Sequence, residues 1–145
     1  MATTVSYNST LKIGPLASNA YSAPSNTVLE VLSINFDGAT QAIIDTTSLT
    51  STMKSFKVGT VDPGSISLEV NLDGDDTTGQ LVLQAAAADQ TGRSYLITYG
   101  AASAGGCTIS GIGFVTSFSI KAGIDTVLTA SFTLKLSGAY TITQT

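Results

Sequence analysis

Hydrophobic and polar residues alternate along most of this chain, and they do so with the period of two that marks β-strands. The cleanest case in the first half is Ser65 to Leu72. Ile66, Leu68, Val70 and Leu72 point one way, and Ser65, Ser67, Glu69 and Asn71 point the other. Near the end, Leu128, Ala130, Phe132, Leu134 and Leu136 alternate with Thr129, Ser131, Thr133 and Lys135. Val28 to Phe36 reads as a strand with apolar residues on both sides, and Gln41 to Asp45 as a short one. Arg93 to Tyr99 places Tyr95, Ile97 and Tyr99 on one face. Thr108 to Lys121 is strand-like, anchored by Ile112, Phe114, Phe118 and Ile120, with Gly111 and Gly113 as a candidate bulge. Tyr140 to Thr143 forms a final short strand.

Turn residues separate these runs. Asp37-Gly38 and Asp62-Pro63-Gly64 are turn signals, the latter with Pro fixing φ and Gly free to take positive φ. Asp73-Gly74-Asp75-Asp76 closes the Ser65 strand. One helix is predicted after it, over about 77–88. Thr77-Thr78-Gly79-Gln80 has the form of a capping box, and Asp75 and Asp76 suit the positive end of a helix dipole. Gln80 and Gln84 share a face, and Leu81, Val82, Ala85 and Ala86 cover most of the remainder for packing on a sheet. Residues 1–26 read as an irregular arm, punctuated by Gly14-Pro15 and Pro24, with Leu11, Ile13 and Leu16 free to pin it to its own domain or to a neighbour. Residues 27–145 read as a single domain, a size that supports one core. About seven strands without intervening helices make an all-β, antiparallel sandwich or barrel of two sheets, with one short flanking α-helix.

Charge is scarce. Only 11% of residues are charged, and the 10 acidic against 6 basic side chains leave a formal net charge of −4. Serine and threonine together supply 40 residues, 18 plus 22. Surfaces poor in charge and rich in small polar groups suit burial against further copies of the same chain. An acidic balance argues against tight binding to a phosphate backbone.

Candidate chemistry is thin. Histidine is absent, which removes the commonest general base and the commonest metal ligand. Cys107 is the only cysteine, so no internal disulfide or cysteine metal cluster forms, and Gly106 and Thr108 beside it offer no base. The Asp73 turn is not an EF-hand: the position eleven residues after Asp73 is Gln84, and the one eleven after Asn71 is Val82. Gly100 to Gly106 is glycine-rich, but no Lys-Ser/Thr follows, so it is not a phosphate-binding loop. Asp45 and the hydroxyls after it have no histidine to activate them. No enzyme, cofactor or metal is expected. The first residues carry neither a basic nor an apolar leader region, and the apolar run Leu81 to Ala88 is too short to span a bilayer.

The tract Ile44-Asp45-Thr46-Thr47-Ser48-Leu49-Thr50-Ser51-Thr52-Met53-Lys54-Ser55-Phe56-Lys57-Val58-Gly59 resembles the tail tube proteins of lambda-type siphophages. The resemblance continues through Val61-Asp62-Pro63-Gly64, the Ser65 strand, the Asp73 to Asp76 turn, the helix, and the late strand ending in Leu136-Ser137-Gly138. It covers roughly Val28 to Gly138, and the order of the pieces carries it. Thr50-Ser51-Thr52 is neutral here, where that family often carries charge.

The resemblance implies two packed sheets with a flanking helix. It also implies hexameric rings whose inner strands join into a continuous barrel around a lumen, stacked into a conduit through which DNA passes without specific binding. The partners it implies are further copies of the chain, a tape measure protein, a tail terminator and tail-tip proteins, with no membrane. The place it implies is the virion tail, assembled in the host bacterial cytoplasm. Contacts between subunits or rings are carried over to Asp45, Thr46, Thr47, Ser48, Leu49, Lys54, Phe56, Lys57 and Gly59, and less firmly to the N-terminal arm. A ring of six would carry six times −4, or −24, formal charges. The same fold serves contractile tails and type VI secretion. A monomeric Ig-like surface domain, binding through loops such as Gly100 to Gly106, is the alternative of another class.

Overall fold

The computed structural model describes residues 9–14, 21–89, 91–100 and 106–144. Within them lie nine strands and one helix in the order β1 (Thr10–Ile13), β2 (Asn26–Thr27), β3 (Val31–Asp37), β4 (Thr40–Asp45), β5 (Phe56–Asp62), β6 (Ser65–Asn71), α1 (Gln80–Asp89), β7 (Arg93–Tyr99), β8 (Cys107–Lys121) and β9 (Thr129–Gln144). Seven of them form one antiparallel sheet in the order β2-β1-β7-β8-β9-β6-β3, and β4 and β5 form a separate two-stranded sheet.

The long β8–β9 ribbon joins the two halves of the large sheet. Cys107 to Gly113 of β8 pairs with β7, while Thr129 to Lys135 of β9 pairs with β6. The ribbon's register shifts between Ser110 and Ile112 and again between Val115 and Ser117, and Gly138 takes a φ of 74°. Bulges strengthen twist and bend a strand, so the sheet curls until its two halves face each other. Contacts across the curl confirm this. The Tyr99 hydroxyl of β7 donates to the Ile34 carbonyl of β3 at 3.4 Å, and the Phe36 and Tyr140 rings lie 6.2 Å apart. The two expected layers are thus the two halves of one curled sheet.

Between the halves sits the core: Leu11 and Ile13 from β1, Ile66, Leu68 and Val70 from β6, Tyr95 and Ile97 from β7, Ile109 and Val115 from β8, Ala130, Phe132, Leu134 and Leu136 from β9, and Leu83 and Ala86 from α1. The alternation of β6 and β9 is as the sequence predicts. Four local expectations change. Thr10–Ile13 is not irregular: it is a strand registered on β7, with Leu11 and Ile13 fully buried. Leu16 lies outside the described residues. The expected Val28 strand begins only at Val31, because Glu30 takes a φ of 58°. In β8 the buried residues are Ile109, Gly111, Gly113 and Val115, and Ile112 and Phe114 are half-buried; the extra residue Thr116 then shifts the phase, and Phe118 and Ile120, paired with Phe132 and Ala130, emerge beyond the core. Tyr140 to Thr143 is the continuation of β9, not a separate strand.

The helix also starts later than expected, at Gln80, with Asp76 as its cap in place of Thr77. Asp76 is 3% exposed; its carboxylate accepts from the backbone N–H of Gly79 at 2.9 Å and of Gln80 at 3.2 Å. The same carboxylate accepts from Leu29 N–H at 2.9 Å. Gln80, 1% exposed, donates to the Leu29 and Asn71 carbonyls, both at 2.9 Å, and accepts from Asp73 N–H at 3.0 Å. The buried face of α1 is Gln80, Leu83 and Ala86, while Leu81 and Ala85 face outward. At the other end, buried Arg93 reaches Asp89 at 3.2 Å. That offsets an acid at the helix C-terminus, where the dipole disfavours it.

Replacing Asp76 with Ala strips a cap and leaves buried donors unpaired. A loss of about 1–3 kcal/mol is expected on chemical denaturation. Tyr95 faces Gly111 across β7–β8, and a Cβ at Gly111 would meet the Tyr95 hydroxyl at 3.0 Å and its ring at 3.3 Å. That hydroxyl is buried without a hydrogen-bond partner among the described residues, and burial pushes its pKa up to about 12. Gly111→Ala should therefore lower the melting temperature. Tyr95→Phe should leave it unchanged or raise it, because no hydrogen bond is lost and a desolvated hydroxyl is removed.

Candidate functional site

The structure brings together all nine residues that the sequence marks out. Asp45 ends β4; Thr46, Thr47, Ser48, Leu49 and Lys54 lie in the connecting loop; and Phe56, Lys57 and Gly59 lie in β5. Together they form a hairpin that projects from the large sheet. Its register pairs Thr40 with Asp62, Ile43 with Val58, Ile44 with Lys57 and Asp45 with Phe56. All residues of β4 are exposed, and in β5 only Gly59 is half-buried.

The polar tract has a local explanation. Serine and threonine hydroxyls compete with secondary structure by bonding nearby backbone, and here they close the hairpin end. Thr47 N–H donates to the Asp45 carboxylate at 2.9 Å, and Thr46 N–H to the Ser55 carbonyl at 2.9 Å. Ser55 N–H donates to the Thr47 hydroxyl at 2.8 Å. The Ser51 hydroxyl donates to the Met53 carbonyl at 2.6 Å, and Ser48 and Thr50 share a hydrogen bond at 3.2 Å. The loop is therefore ordered by its own side chains.

At the base, the Lys135 ammonium of β9 pairs with the Asp62 carboxylate, which also accepts from Gly64 N–H at 2.9 Å. These two bonds, Lys135 foremost, hold the Asp62 carboxyl below its usual range. Gly64 turns the chain with a φ of 97° where a Cβ would strike the Asp37 carbonyl.

The hairpin's apolar residues have no cover. Residues two apart share a face, so Ile43, Phe56 and Val58 lie together, with Asp45 beside them. They line a shallow apolar depression with Lys57 at its edge. Ile44, Leu49, Met53 and Val61 are also exposed. Ile43 and Val58 are not among the contact residues marked from the sequence; strand pairing brings them together. Sequence reasoning also missed a second uncovered set, Phe118, Ile120, Ile124, Val127 and Leu128 around the β8–β9 turn.

The large sheet adds a third feature. Among the described residues, β8 beyond Gly113 has no partner on the side where β7 ends, and β3 is the last strand of the sheet. The part made of β8 (114–121), β9, β6 and β3 thus has two open edges. Its outer face carries Ser117, Ser119 and Lys121, then Thr133 and Lys135, then Ser67 and Glu69, then Ser33, Asn35 and Asp37. Among the described residues, no group of three or more histidine, cysteine, aspartate or glutamate side chains could hold a metal, and no helix is long and apolar enough to cross a membrane. Residues 101–105 of the glycine-rich loop lie outside the described set.

A protein family described as phage tail tube, TTP, lambda-like matches residues 17–111, about two thirds of the chain. This chain belongs to that family. It is a structural subunit of a phage tail tube, a virion component. Solved structures share the fold at low identity. The chain of a gene transfer agent particle's tail, refined with C6 symmetry, superposes with a TM-score of 0.67 at 16% identity, covering 92% of this chain and 95% of that one. The SPP1 tail tube gives 0.66 at 13% identity, over 94% and 77%. A chain from the sheath/tube terminator of an extracellular contractile injection system gives 0.70 at 11% identity, over 94% of each. No curated protein matches the tube subunit in sequence.

The hairpin end is testable through its carboxylate. The Thr47 hydroxyl, and then the Thr47 backbone N–H, hold the Asp45 carboxyl below its usual range. A depressed folded pKa means that this contribution is present above the unfolded value and is lost as pH falls through the folded one. In an NMR titration, Thr47→Val should move the Asp45 midpoint upward towards that of a free aspartate.

Proposed function

We propose that the tail tube subunit assembles into six-membered rings by joining β3 of one copy to residues 114–121 of β8 in the next, and that these rings stack into a conduit for DNA. The observation that carries this reading is the matched pair of open edges. Successive strands in the order β8-β9-β6-β3 are antiparallel. Placing β8 of a second copy beside β3 of the first therefore continues the antiparallel pattern. Open edges are a liability unless paired, charged or covered, and β3 carries neither lysine nor proline. Closing a sheet removes its edges altogether. The C6 symmetry of the gene transfer agent tail supports the ring size.

The same sheet indicates which face would line the lumen. One face of β6 and β9 is buried against the chain's own second layer and helix. The hydroxyl-rich face remains for the channel. Its acids Asp37 and Glu69 are balanced by Lys121 and Lys135. Such a wall lacks the cation excess that phosphate binding requires, so DNA slides past without being held. The repulsion expected from the net charge of −4 would come from acids elsewhere on the subunit.

The β4–β5 hairpin, with Asp45 to Gly59, is the contact to the adjacent subunit or ring in this reading. The long non-contractile tail, a tape measure protein, a terminator and tail-tip proteins as partners, assembly in the host cytoplasm, and the absence of any catalytic role complete it. The contact role that the resemblance implies for the arm of residues 1–26 falls in part on residues 1–8 and 15–20, which lie outside the described set.

Leu32, the bulge residue of β3, is exposed at the open edge. Leu32→Lys should leave the melting temperature of the monomer within about 2 °C of wild type, as surface substitutions usually do. It should raise the concentration needed for tubes about tenfold or more, equivalent to ~1.4 kcal/mol per contact. Negative-stain microscopy with light scattering reads both tubes and threshold. Unchanged assembly by this variant, or a wild-type chain that stays monomeric with tail-tip components present, overturns the reading.

A further inference from the structure

We infer that the β8–β9 turn is the receptor for the β4–β5 hairpin of another copy, so that the two uncovered apolar sets of one chain are the two halves of one repeating contact. This rests on the tube reading above and names the surface on which the hairpin docks. At the turn, Phe118 stacks on buried Phe132 at 4.9 Å, which fixes the root of the patch to the core. Beyond it Ile120, Ile124, Val127 and Leu128 are uncovered, Ile124 being 93% exposed. The turn is shaped: Asp125 has a φ of 59°, and Leu72 N–H donates to the Leu128 carbonyl at 2.8 Å. A held, apolar, solvent-facing turn is unusual on a monomer and marks an interaction site.

Strand polarity identifies the occupant. The hairpin leaves the sheet at the Ser65 end of β6, through Asp37 and Asp62. The turn leaves it at the Asn71 end, where Asn71 pairs with Thr129 and Thr129 with Lys121. The two apolar sets therefore project from opposite ends of one strand, about 20 Å apart along it at the usual rise per residue. Within one chain the hairpin points away from the turn. Two different patches at opposite ends build a head-to-tail contact that repeats without limit, whereas a hairpin-to-hairpin contact would stop at a dimer. Ile43, Phe56 and Val58 would then lie on Ile120, Ile124 and Val127 of the next copy.

The test is covalent capture in a Cys107→Ser background, with Val58→Cys in the hairpin and Ile124→Cys in the turn. All three positions are partly or fully exposed, and far-UV circular dichroism checks the fold. After assembly and treatment with a short bismaleimide, the double variant should give a ladder of covalent multimers on denaturing gels. Each single variant should give none. Should the double variant fail to assemble, an equimolar mixture of the two single variants replaces it, and covalent dimers with nothing larger are expected. Tubes without a ladder, both here and with Val127→Cys in place of Ile124→Cys, overturn the contact and leave the tube reading standing. A ladder or dimer from Val58→Cys alone shows hairpins meeting one another and also overturns it. A wild-type chain that never assembles removes the tube reading and this contact together.

Discussion

β8 is longer than one of its partners. Its 15 residues are paired with β9 nearly throughout, but β7 covers only Cys107 to Gly113 on the other side. Backbone N–H and C=O groups must be satisfied by something, and water is an adequate partner for a lone monomer. A second strand is a better one, because each added pair also brings side chains into contact across the strands. The overhang of β8 and the uncovered turn between β8 and β9 are consequences of that single mismatch in length, while the bare edge of β3 follows from its place at the end of the strand order. The rest of the subunit holds the overhang in a fixed attitude.

That fixing is done with few charges. Asp76 and Gln80 join three separate segments, the linker after β2, the end of β6 and the start of α1, through hydrogen bonds to main-chain groups. Buried polar groups that are fully paired specify one arrangement. Next to the bonded Leu29, Glu30 takes a positive φ and β3 begins only at Val31. On the opposite side of the fold, Lys135 and Asp62 tie the hairpin to β9. Both partners are about half exposed, so this pair orients more than it stabilises.

Periodicity was the readable part of the sequence. β6, β7 and the first half of β9 follow from alternation alone, and the turn at Asp62-Pro63-Gly64 from residue chemistry. β8 was readable as a strand but not in phase, because the extra residue Thr116 flips the face on which later residues lie. Gly111 does not bulge β8: at the first shift the extra residues lie in β9, between Ser137 and Thr141, and nothing around Thr116 signalled the second. β1 escaped because four residues are too few to show a period, and its strand character comes from pairing with β7. The cap was misplaced by one residue because Asp76 and Thr77 are both good caps, and only the tertiary bond to Leu29 selects Asp76. The nine marked residues of the hairpin do fall together, yet their resemblance to a family drew attention to the polar ones. The exposed apolar members, Ile43 and Val58, are visible only once the strands are paired.

The scarcity of charge then has a physical reading. A lysine or glutamate buried between copies must lose its hydration, and that cost is recovered only with a well-placed partner. A hydroxyl carries a much smaller penalty and finds a backbone partner close at hand, as Ser51 and Thr47 do in the hairpin loop. A hairpin already closed by its own hydroxyls also has less conformational entropy to lose when it docks. Serine and threonine thus solve two problems with one residue type: they order the projecting loop before contact, and they leave no ion to desolvate when contact is made. Uncovered isoleucine and phenylalanine beside them supply the attraction, and the open edges of β3 and β8 supply the register.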